Sequence, residues 1–134
     1  MDTLSRSERS KRMASIRSRD TKPELIVRRL IHGMGYRFRL HVRDLPGSPD
    51  LVFRSRAKAI FVHGCFWHMH KNCCKPPKSH LRYWKPKLEC NVQRDKAVRR
   101  KLQRRGWRSL IIWQCEIKSV DKLKRRIRHF LDAD

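Results

Sequence analysis

Two apolar segments separated by a short polar turn restrict most strongly how this chain can fold. Ser48–Phe53 and Ala57–Val62 have the β-branched and aromatic content of buried strands, and Arg54–Arg56 joins them. A connection this short makes neighbouring strands antiparallel. The sequence therefore predicts a β-hairpin at the centre of the fold.

The register of this hairpin brings polar residues together at one end. Centring the turn near Arg56 sets Asp50 opposite Val62, so that Asp50 and His63 meet. Asp50 begins an otherwise apolar strand, where a carboxylate adds nothing to packing. Hydrolysis of a phosphodiester needs a hard cation on oxygen ligands and a group that moves protons. Asp50 with His63 and its neighbours fits that chemistry.

Further periodic segments flank the hairpin and define the fold class. Thr21 and Glu24 have the spacing of a capping box before an amphipathic stretch that stops at Gly33 and Gly35. The other predicted elements are a strand over Tyr36–Val42, a helix over about Lys87–Arg105, a strand over Trp107–Trp113, and a helix capped by Ser119 with Leu123, Ile127, Phe130 and Leu131 facing inward. The order αβββαβα predicts a layered α/β domain over residues 20–134.

The charge of the chain identifies its class of partner. Lys and Arg total 35 against 12 acidic residues, a net charge of +23, which predicts a polyanion and favours nucleic acid. No apolar run reaches the length of a membrane span, and residues 1–9 have no apolar signal-peptide core. We expect a cytoplasmic protein in which residues 1–19 form a basic arm, carrying Met13 and Ile16, that contacts DNA.

A cluster of metal-ligating residues follows the hairpin in an irregular segment. Cys65, His70 and Cys73, with the distant Cys115, have the residue types and spacing of a structural zinc site. Cys73 and its neighbour Cys74 compete for the third position on spacing alone. His68 alternates with His70 in an extended chain, so the two side chains should point apart. The alternative is that these thiols are merely buried.

Two acidic residues have both a structural and a functional interpretation. Asp95 falls on the apolar face of its predicted helix, where an acid either pairs with a buried donor or lines a site. Both roles combine if Asp95 orients a catalytic histidine. Glu24 is equally well explained by helix capping or by catalytic support.

Aromatic residues interrupt the basic segments. Phe66 and Trp67 lie in the cysteine-containing loop, and Tyr83 and Trp84 follow. Such side chains either pack around the metal site or insert between base steps as a wedge.

The chain resembles the very short patch repair endonucleases over nearly its whole length. The resemblance rests on matching motifs, namely Ser10-Lys11-Arg12-Met13, Arg19-Asp20-Thr21, Leu45-Pro46-Gly47-Ser48-Pro49-Asp50, Val62-His63-Gly64-Cys65-Phe66-Trp67-His68, Asn91-Val92-Gln93-Arg94-Asp95, Gly106-Trp107-Arg108 and Trp113-Gln114-Cys115. It implies a restriction-endonuclease-like core, a central mixed sheet flanked by helices. It also implies a Mg²⁺-dependent enzyme that nicks the thymine strand 5′ to T:G mismatches left by deamination of 5-methylcytosine.

The resemblance also implies residue roles. Asp50 and the backbone carbonyl of Val62, where a well-known member has threonine, would bind Mg²⁺, with His63 beside them. His68, oriented by Asp95, would be the general base, and Glu24 a supporting acid. The remaining implied roles are zinc ligands at Cys65, His70, Cys73 and Cys115, a major-groove wedge of Phe66, Trp67 and Trp84, and DNA contacts from Lys11, Arg12, Met13 and Ile16.

The implied partners are duplex DNA with a T:G mismatch, mismatch-repair proteins and a cognate DNA cytosine methyltransferase, and the enzyme is expected to be a monomer. Three other interpretations account for part of the sequence. A restriction-type nuclease on the same core would cut both strands of matched DNA. A non-catalytic zinc DNA-binding module, or a ribosomal-type RNA-binding protein, explains the charge but leaves Asp50 and Asp95 without a role.

Overall fold

Three helices and a four-stranded sheet make up the part of the chain that the computed structural model describes, residues 21–65 and 81–133. The elements in chain order are α1 (Lys22–Gly33), β1 (Arg39–Leu40), β2 (Leu51–Phe53), β3 (Lys58–His63), α2 (Leu81–Arg104), β4 (Arg108–Trp113) and α3 (Val120–Asp132). Short 3₁₀ turns at Arg54–Arg56 and Gln114–Lys118 follow β2 and β4. The predicted αβββαβα order and α/β class are confirmed.

The sheet is mixed, with strand order β1-β2-β3-β4. The first three strands are antiparallel neighbours, whereas β3 and β4 run parallel, with His63 paired to Trp113 at their carboxyl ends. A parallel pair requires a crossover between its strands, and α2 lies within it. Residues that follow β3 and residues that follow β4 therefore emerge at the same edge of the sheet.

The core has one apolar cluster on each face of the sheet. Alternate strand residues divide between the clusters, because successive side chains of a strand point to opposite faces. The larger cluster joins the sheet to α1 and α3 through Val27, Ile31, Leu51, Phe53, Ile60, Ile112, Leu123, Ile127 and Leu131. The smaller joins it to α2 through Leu45, Val52, Phe61 and Leu102. The result is three layers, two helices, the sheet and one helix.

The hairpin register differs by one residue from the predicted one. Phe53 pairs with Lys58 and Leu51 with Ile60, so that the same register, carried one pair further, sets Asp50 across from Phe61 rather than Val62. The turn is centred between Ser55 and Arg56 instead of on Arg56, because Ala57, at the end of the turn, takes a left-handed conformation (φ 52°). Asp50 and His63 still lie at the same end of the hairpin.

Several predicted boundaries are also corrected. The strand expected over Tyr36–Val42 is confined to Arg39–Leu40, because His41 has a positive φ of 49° that breaks the extended backbone. The helix expected from about Lys87 begins at Leu81 and contains Pro86, whose missing N–H donor does not end it.

The two predicted N-cap residues lie at the predicted positions, but their side chains do not make the predicted capping hydrogen bonds. Thr21 and Ser119 are the N-cap residues of α1 and α3, and neither side chain makes a capping hydrogen bond. The carbonyl of each accepts the first helical backbone bond instead. Glu24, expected to complete the capping box, is turned into the protein interior and is 2% exposed.

A buried lysine fixes the carboxyl end of α3. Lys58 is 4% exposed, and its Nζ donates to the carbonyls of Phe130 (2.6 Å), Leu131 (3.1 Å) and Ala133. Cations at a helix C-terminus satisfy carbonyls that have no partner within the helix. α3 is thereby anchored to the start of β3. No helix of the described residues is long and apolar enough to cross a membrane.

Candidate active site

The predicted catalytic acids converge at the end of the hairpin. Asp50 immediately precedes β2, and Val62 and His63 end β3. The backbone N–H of Val62 donates a 2.7 Å hydrogen bond to Asp50 Oδ2. Glu24 reaches the same place from the first turn of α1. The sheet edge and the amino end of α1 thus hold the two carboxylates together.

A histidine that the sequence analysis did not single out joins them. His41 Nε2 lies 3.2 Å from Glu24 Oε1, and its imidazole is 13% exposed. One ligand atom each from Glu24, His41 and Asp50 lies within 4.8 Å of the others. Among the described residues, this is the cluster of His, Cys, Asp and Glu side chains compact enough to hold a metal ion.

Arg28 provides a positive charge at this cluster. It lies one helical turn after Glu24 on α1, and its Nη2 is 3.6 Å from Glu24 Oε1 and 2.8 Å from His41 Nε2. The side chain of Arg28 is 17% exposed. The buried Glu24 and the half-buried Asp50 are therefore accompanied by the positive charge of Arg28.

Burial and a neighbouring carboxylate change the acidity of Asp50. Burial, together with the charge of Glu24 and a hydrogen bond with it, raises the pKa of Asp50 from 3.8 to about 7. The hydrogen bond from the Val62 backbone and the charge of Arg28 act in the opposite direction. A carboxylate that is costly to ionise in isolation is a ready ligand for a cation, whose charge offsets the cost.

The donor set fits the divalent cation implied by the resemblance. Two carboxylates offer the hard oxygen ligands that Mg²⁺ prefers, and Mg²⁺ commonly binds through one or two carboxylates while keeping several waters. The residues present therefore match a catalytic divalent metal.

His63 and Asp95 form a second polar pair beside the first. His63 is 6% exposed, and its Nδ1 lies 3.9 Å from Asp95 Oδ2 on α2. The imidazole also packs edge-on against Trp113, with ring centroids 5.4 Å apart. Asp95 thus faces a histidine, as expected of a carboxylate on the apolar face of its helix. The histidine it faces among the described residues is His63, whereas the predicted partner His68 lies outside them.

A glycine-containing loop delivers Asp50 to the site. Gly47 has a φ of +76°, and a Cβ there would lie 2.5 Å from Val98 Cγ1 on α2 and 3.3 Å from Phe61 Cε1 on β3. Only glycine adopts this conformation at low cost and leaves room for both neighbours. The loop is therefore pressed against α2 and β3 three residues before Asp50.

The predicted zinc ligands divide between described and undescribed residues. Cys65 is buried and Cys115 is half-buried. They follow the paired residues His63 and Trp113 by two positions each, so the parallel strands carry both to one edge of the sheet. The other two predicted ligands, His70 and Cys73, lie outside the described residues. Cys90 is exposed on α2.

The predicted DNA-contacting residues lie mostly outside the described ranges. These are Lys11, Arg12, Met13, Ile16, Phe66 and Trp67. Trp84 lies in the first turns of α2, half-buried, with its ring edge-to-face against Tyr83 at 5.0 Å.

Sequence reasoning missed His41 and Arg28 for different reasons. His41 stands in a segment that was expected to be regular strand, where a polar side chain is unremarkable. Its left-handed backbone is visible only in the structure. Arg28 is one of many basic residues, and its spacing of four from Glu24 was the available signal.

Comparison with known proteins identifies relatives along the whole chain. The family model described as DNA mismatch endonuclease Vsr matches residues 1–75. The type II nicking enzyme V.XorIIP of Xanthomonas oryzae pv. oryzae is 49% identical over 132 residues, covering 98% of this chain and 97% of the relative. The DNA mismatch endonuclease Vsr of Escherichia coli (strain K12) is 40% identical over 124 residues, covering 91% and 79%.

A solved structure supports the fold independently. The catalytic domain of the homing endonuclease I-Bth0305I superposes with a TM-score of 0.59, covering 83% of this chain and 94% of that chain at 24% identity. At this identity the likeness concerns the fold, a four-stranded mixed sheet with three helices.

Proposed function

Because the chain belongs to the Vsr family of DNA mismatch endonucleases, we propose that it nicks the thymine strand of duplex DNA 5′ to T:G mismatches, with Mg²⁺ as its catalytic metal. Membership makes the chain a DNA endonuclease, and its relatives include several nicking enzymes. The observation that carries the proposal is the compact cluster of buried Glu24 with half-buried His41 and Asp50 at the end of the hairpin.

Asp50 and Glu24 are the residues that would hold the metal, together with the carbonyl of Val62. When bound, a divalent cation stabilises negative charge on the phosphate under attack and makes a water molecule more acidic. The protein contributes rigidity to this arrangement. Asp50 is fixed by the Val62 N–H, and Glu24 by its place in the first turn of α1.

His63 would move a proton at this site. Asp95 Oδ2 lies 3.9 Å from its Nδ1, where the carboxylate would stabilise the imidazolium that forms on proton transfer. Packing against Trp113 holds the ring in place. His68 remains the proposed general base from the family resemblance, and the pairing of His63 with Asp95 adds His63 as a second proton-transfer group.

Mismatch selection is proposed to rest on the aromatic wedge and the basic arm. Trp84, with Phe66 and Trp67, would insert beside the mismatch, where unstacking costs less than at a paired step. Lys11, Arg12, Met13 and Ile16 would contact the other side of the duplex. The net charge of +23 supplies the phosphate-directed attraction that any such contact needs.

The test is a strand-specific nicking assay. Duplexes labelled on one strand or the other, with T:G or T:A at one position, are incubated with Mg²⁺ or with EDTA. We expect a Mg²⁺-dependent nick in the thymine strand of the T:G duplex. Asp50→Asn should lower the rate by at least about a thousandfold, since electrostatic stabilisation of the transition state is lost.

A matched acidic variant controls for charge. Asp44 is an exposed residue that pairs with Arg54 at 3.0 Å. It directly precedes the loop Leu45–Pro49 in the sequence, whereas Asp50 directly follows that loop. Asp44→Asn should nick at the wild-type rate. Cleavage that persists in EDTA, or that is equal on T:A and T:G duplexes, would contradict the proposal.

The alternative function is that of a restriction-type or homing nuclease, since the solved structure with a similar fold is the catalytic domain of a homing endonuclease. It predicts cleavage of both strands in matched DNA at a defined sequence. The same assay detects it, because both strands of the T:A duplex are followed.

A further inference from the structure

The side chains around Glu24 form an arrangement that two carboxylates alone do not explain. An arginine N–H is always a donor, so the 2.8 Å contact of Arg28 Nη2 requires an unprotonated acceptor at His41 Nε2. His41 then carries its proton on Nδ1. The lone pair of Nε2 is directed at the one cation of the cluster, the guanidinium of Arg28.

This tautomer makes His41 Nε2 and Glu24 Oε1 two acceptors that face each other at 3.2 Å. Two lone pairs at this distance repel unless a cation lies beside both. Arg28 supplies that cation, at 2.8 Å from the nitrogen and 3.6 Å from the oxygen. The geometry is that of three donor atoms, from Glu24, His41 and Asp50, that share one positive charge.

The backbone of His41 is held in a costly conformation to achieve this. Its φ of 49° lies in the left-handed region, which is unfavourable for a non-glycine residue. The conformation ends β1 and turns the imidazole inward, where it is 13% exposed. Strain of this kind persists where the surrounding structure uses it.

We propose that His41 is a nitrogen ligand of the catalytic cation site, that this ligand raises the affinity of the site for Mn²⁺ relative to Mg²⁺, and that Arg28 occupies the cation position until the metal displaces it. The proposal rests on the proposed function for the existence of that site. Imidazole favours borderline transition ions over Mg²⁺, whereas carboxylates accept Mg²⁺ and Mn²⁺ alike. A mixed donor set thus adds affinity for Mn²⁺ without excluding Mg²⁺.

The principal test measures metal binding in the absence of DNA and turnover. Mn²⁺ is titrated into the full chain by calorimetry, and the loaded protein is studied by electron spin echo envelope modulation. We expect a ¹⁴N coupling to bound Mn²⁺ that changes to the ¹⁵N pattern when the histidines are labelled with ¹⁵N. Absence of any nitrogen coupling in the wild-type protein would overturn the proposal without the use of a variant.

The variant that assigns the nitrogen is His41→Asn, because asparagine tolerates the left-handed backbone and is too short to replace the imidazole. We expect the ¹⁴N coupling to be lost and the Mn²⁺ Kd to rise about tenfold, while the Mg²⁺ Kd changes less than about twofold. His32→Gln, at an exposed position on the last turn of α1, is the matched control and should change none of these. A coupling that survives in His41→Asn would assign the nitrogen elsewhere and overturn the proposal.

Arg28→Met tests the displacement of the guanidinium. Methionine keeps the apolar stem and removes the charge, so no internal cation competes with the metal. We expect the Mn²⁺ Kd to fall by about fivefold to tenfold, as Coulomb repulsion from a nearby cation is removed. A weaker affinity in Arg28→Met would contradict the displacement.

Asp50→Asn separates this inference from the proposed function. Mn²⁺ binding that depends on Asp50 but shows no nitrogen coupling would overturn the His41 ligand and leave the metal-dependent nuclease standing. Mn²⁺ binding that is unaffected in Asp50→Asn would place the ion outside the proposed site and overturn both.

Discussion

Individual residues at the site are arranged for function at the expense of stability. Asp50 is buried beside a second carboxylate, and His41 is held in the left-handed region. Neither feature strengthens the fold in the absence of a bound cation. Such residues are where a sequence that otherwise specifies its fold consistently departs from local rules.

The acidity of Asp50 leads to a prediction about stability and pH. Its pKa is raised from 3.8 to about 7 in the folded protein, so the protonated form is favoured by folding. This contribution to stability is fully present below about pH 4 and is lost as the pH rises through about 7. In EDTA, Asp50→Asn should therefore gain about 2–4 kcal/mol in unfolding free energy relative to wild type between pH 4 and pH 8.

Urea denaturation of both proteins at several pH values measures this difference. The asparagine amide oxygen can still accept the Val62 N–H, so the backbone contact is retained. Groups that titrate equally in the two proteins cancel. Addition of Mg²⁺ at pH 8 should stabilise the wild type more than the variant. Stability curves that stay parallel from pH 4 to pH 8 would show that the burial of Asp50 has no such cost.

The sequence predicted the residues of the site unevenly. Asp50 and Asp95 were recognised because an acid on an apolar strand or helix face is conspicuous. Glu24 had two equal interpretations, and its burial together with the absent side-chain cap at Thr21 favours the site over the capping box. His41 was missed because its role depends on a single backbone dihedral angle that no local pattern encodes.

Elements of secondary structure were predicted well where apolar periodicity is strong. α1, β4 and α3 lie close to their expected places because each presents an apolar face to the core. The hairpin register was wrong by one residue, because it depends on the conformation of Ala57 rather than on composition. A one-residue change in register exchanges the faces of a strand, so the conformation of this turn residue affects which strand residues face each core cluster.

The loop before β2 leads to a second prediction. In Gly47→Ala, the new Cβ would meet Val98 Cγ1 at 2.5 Å, and the positive φ would be strained. We expect a loss of about 2 kcal/mol or more in stability and a fall in nicking rate, because the loop that carries Asp50 must move. Thermal denaturation and the T:G assay measure the two effects.

Substitutions at two other glycines distinguish the cost of backbone strain from the cost of steric overlap with neighbouring atoms. Gly35 has a φ of +98° and no atom within 4 Å of an added Cβ, so Gly35→Ala should show the cost of strain alone. Gly33→Ala, within α1 and also free of overlap, should be neutral or slightly stabilising. Equal stability losses at Gly47 and Gly35 would indicate that contact with Val98 is unimportant.

The carboxyl ends of β3 and β4 lead to a third prediction, which concerns zinc. Cys65 and Cys115 emerge side by side from these parallel strands, which suits a tetrahedral site completed by His70 and Cys73. The purified chain should contain one zinc ion. Cys115→Ser should lose most of it and melt at a lower temperature, because a structural zinc contributes directly to folding.

An exposed thiol provides the control for this experiment. Cys90 lies on the solvent side of α2, so Cys90→Ser should keep its zinc and its melting temperature. Elemental analysis with parallel thermal denaturation distinguishes the two variants. Full zinc content in Cys115→Ser would remove this residue from the ligand set, and Cys74→Ser would then test the remaining candidate.

At the scale of the whole molecule, the charge distribution decides how the enzyme meets its substrate. The outward positions of α2 and α3 are rich in Lys and Arg, while the acids Glu24 and Asp50 are withdrawn into the site. Repulsion within a chain of net charge +23 opposes the compact state, and a duplex relieves it through its phosphates. Attraction to DNA is therefore general, whereas we propose that discrimination resides in the site and in the residues that flank it.

This separation predicts different salt dependences for affinity and for discrimination. The inactive Asp50→Asn variant permits binding to be measured without cleavage. Its affinity for a T:G duplex should fall by about 10³–10⁵ between 50 and 200 mM salt if it contacts roughly six to ten phosphates. The ratio of T:G to T:A affinity should change by less than about threefold over the same range, since unstacking of the mismatch releases no counterions. Fluorescence anisotropy on both duplexes measures both quantities.

A ratio of T:G to T:A affinity that falls in parallel with the affinity would mean that the mismatch is distinguished by additional phosphate contacts. Recognition of the mismatch would then have to be assigned to the basic surface instead of the aromatic residues.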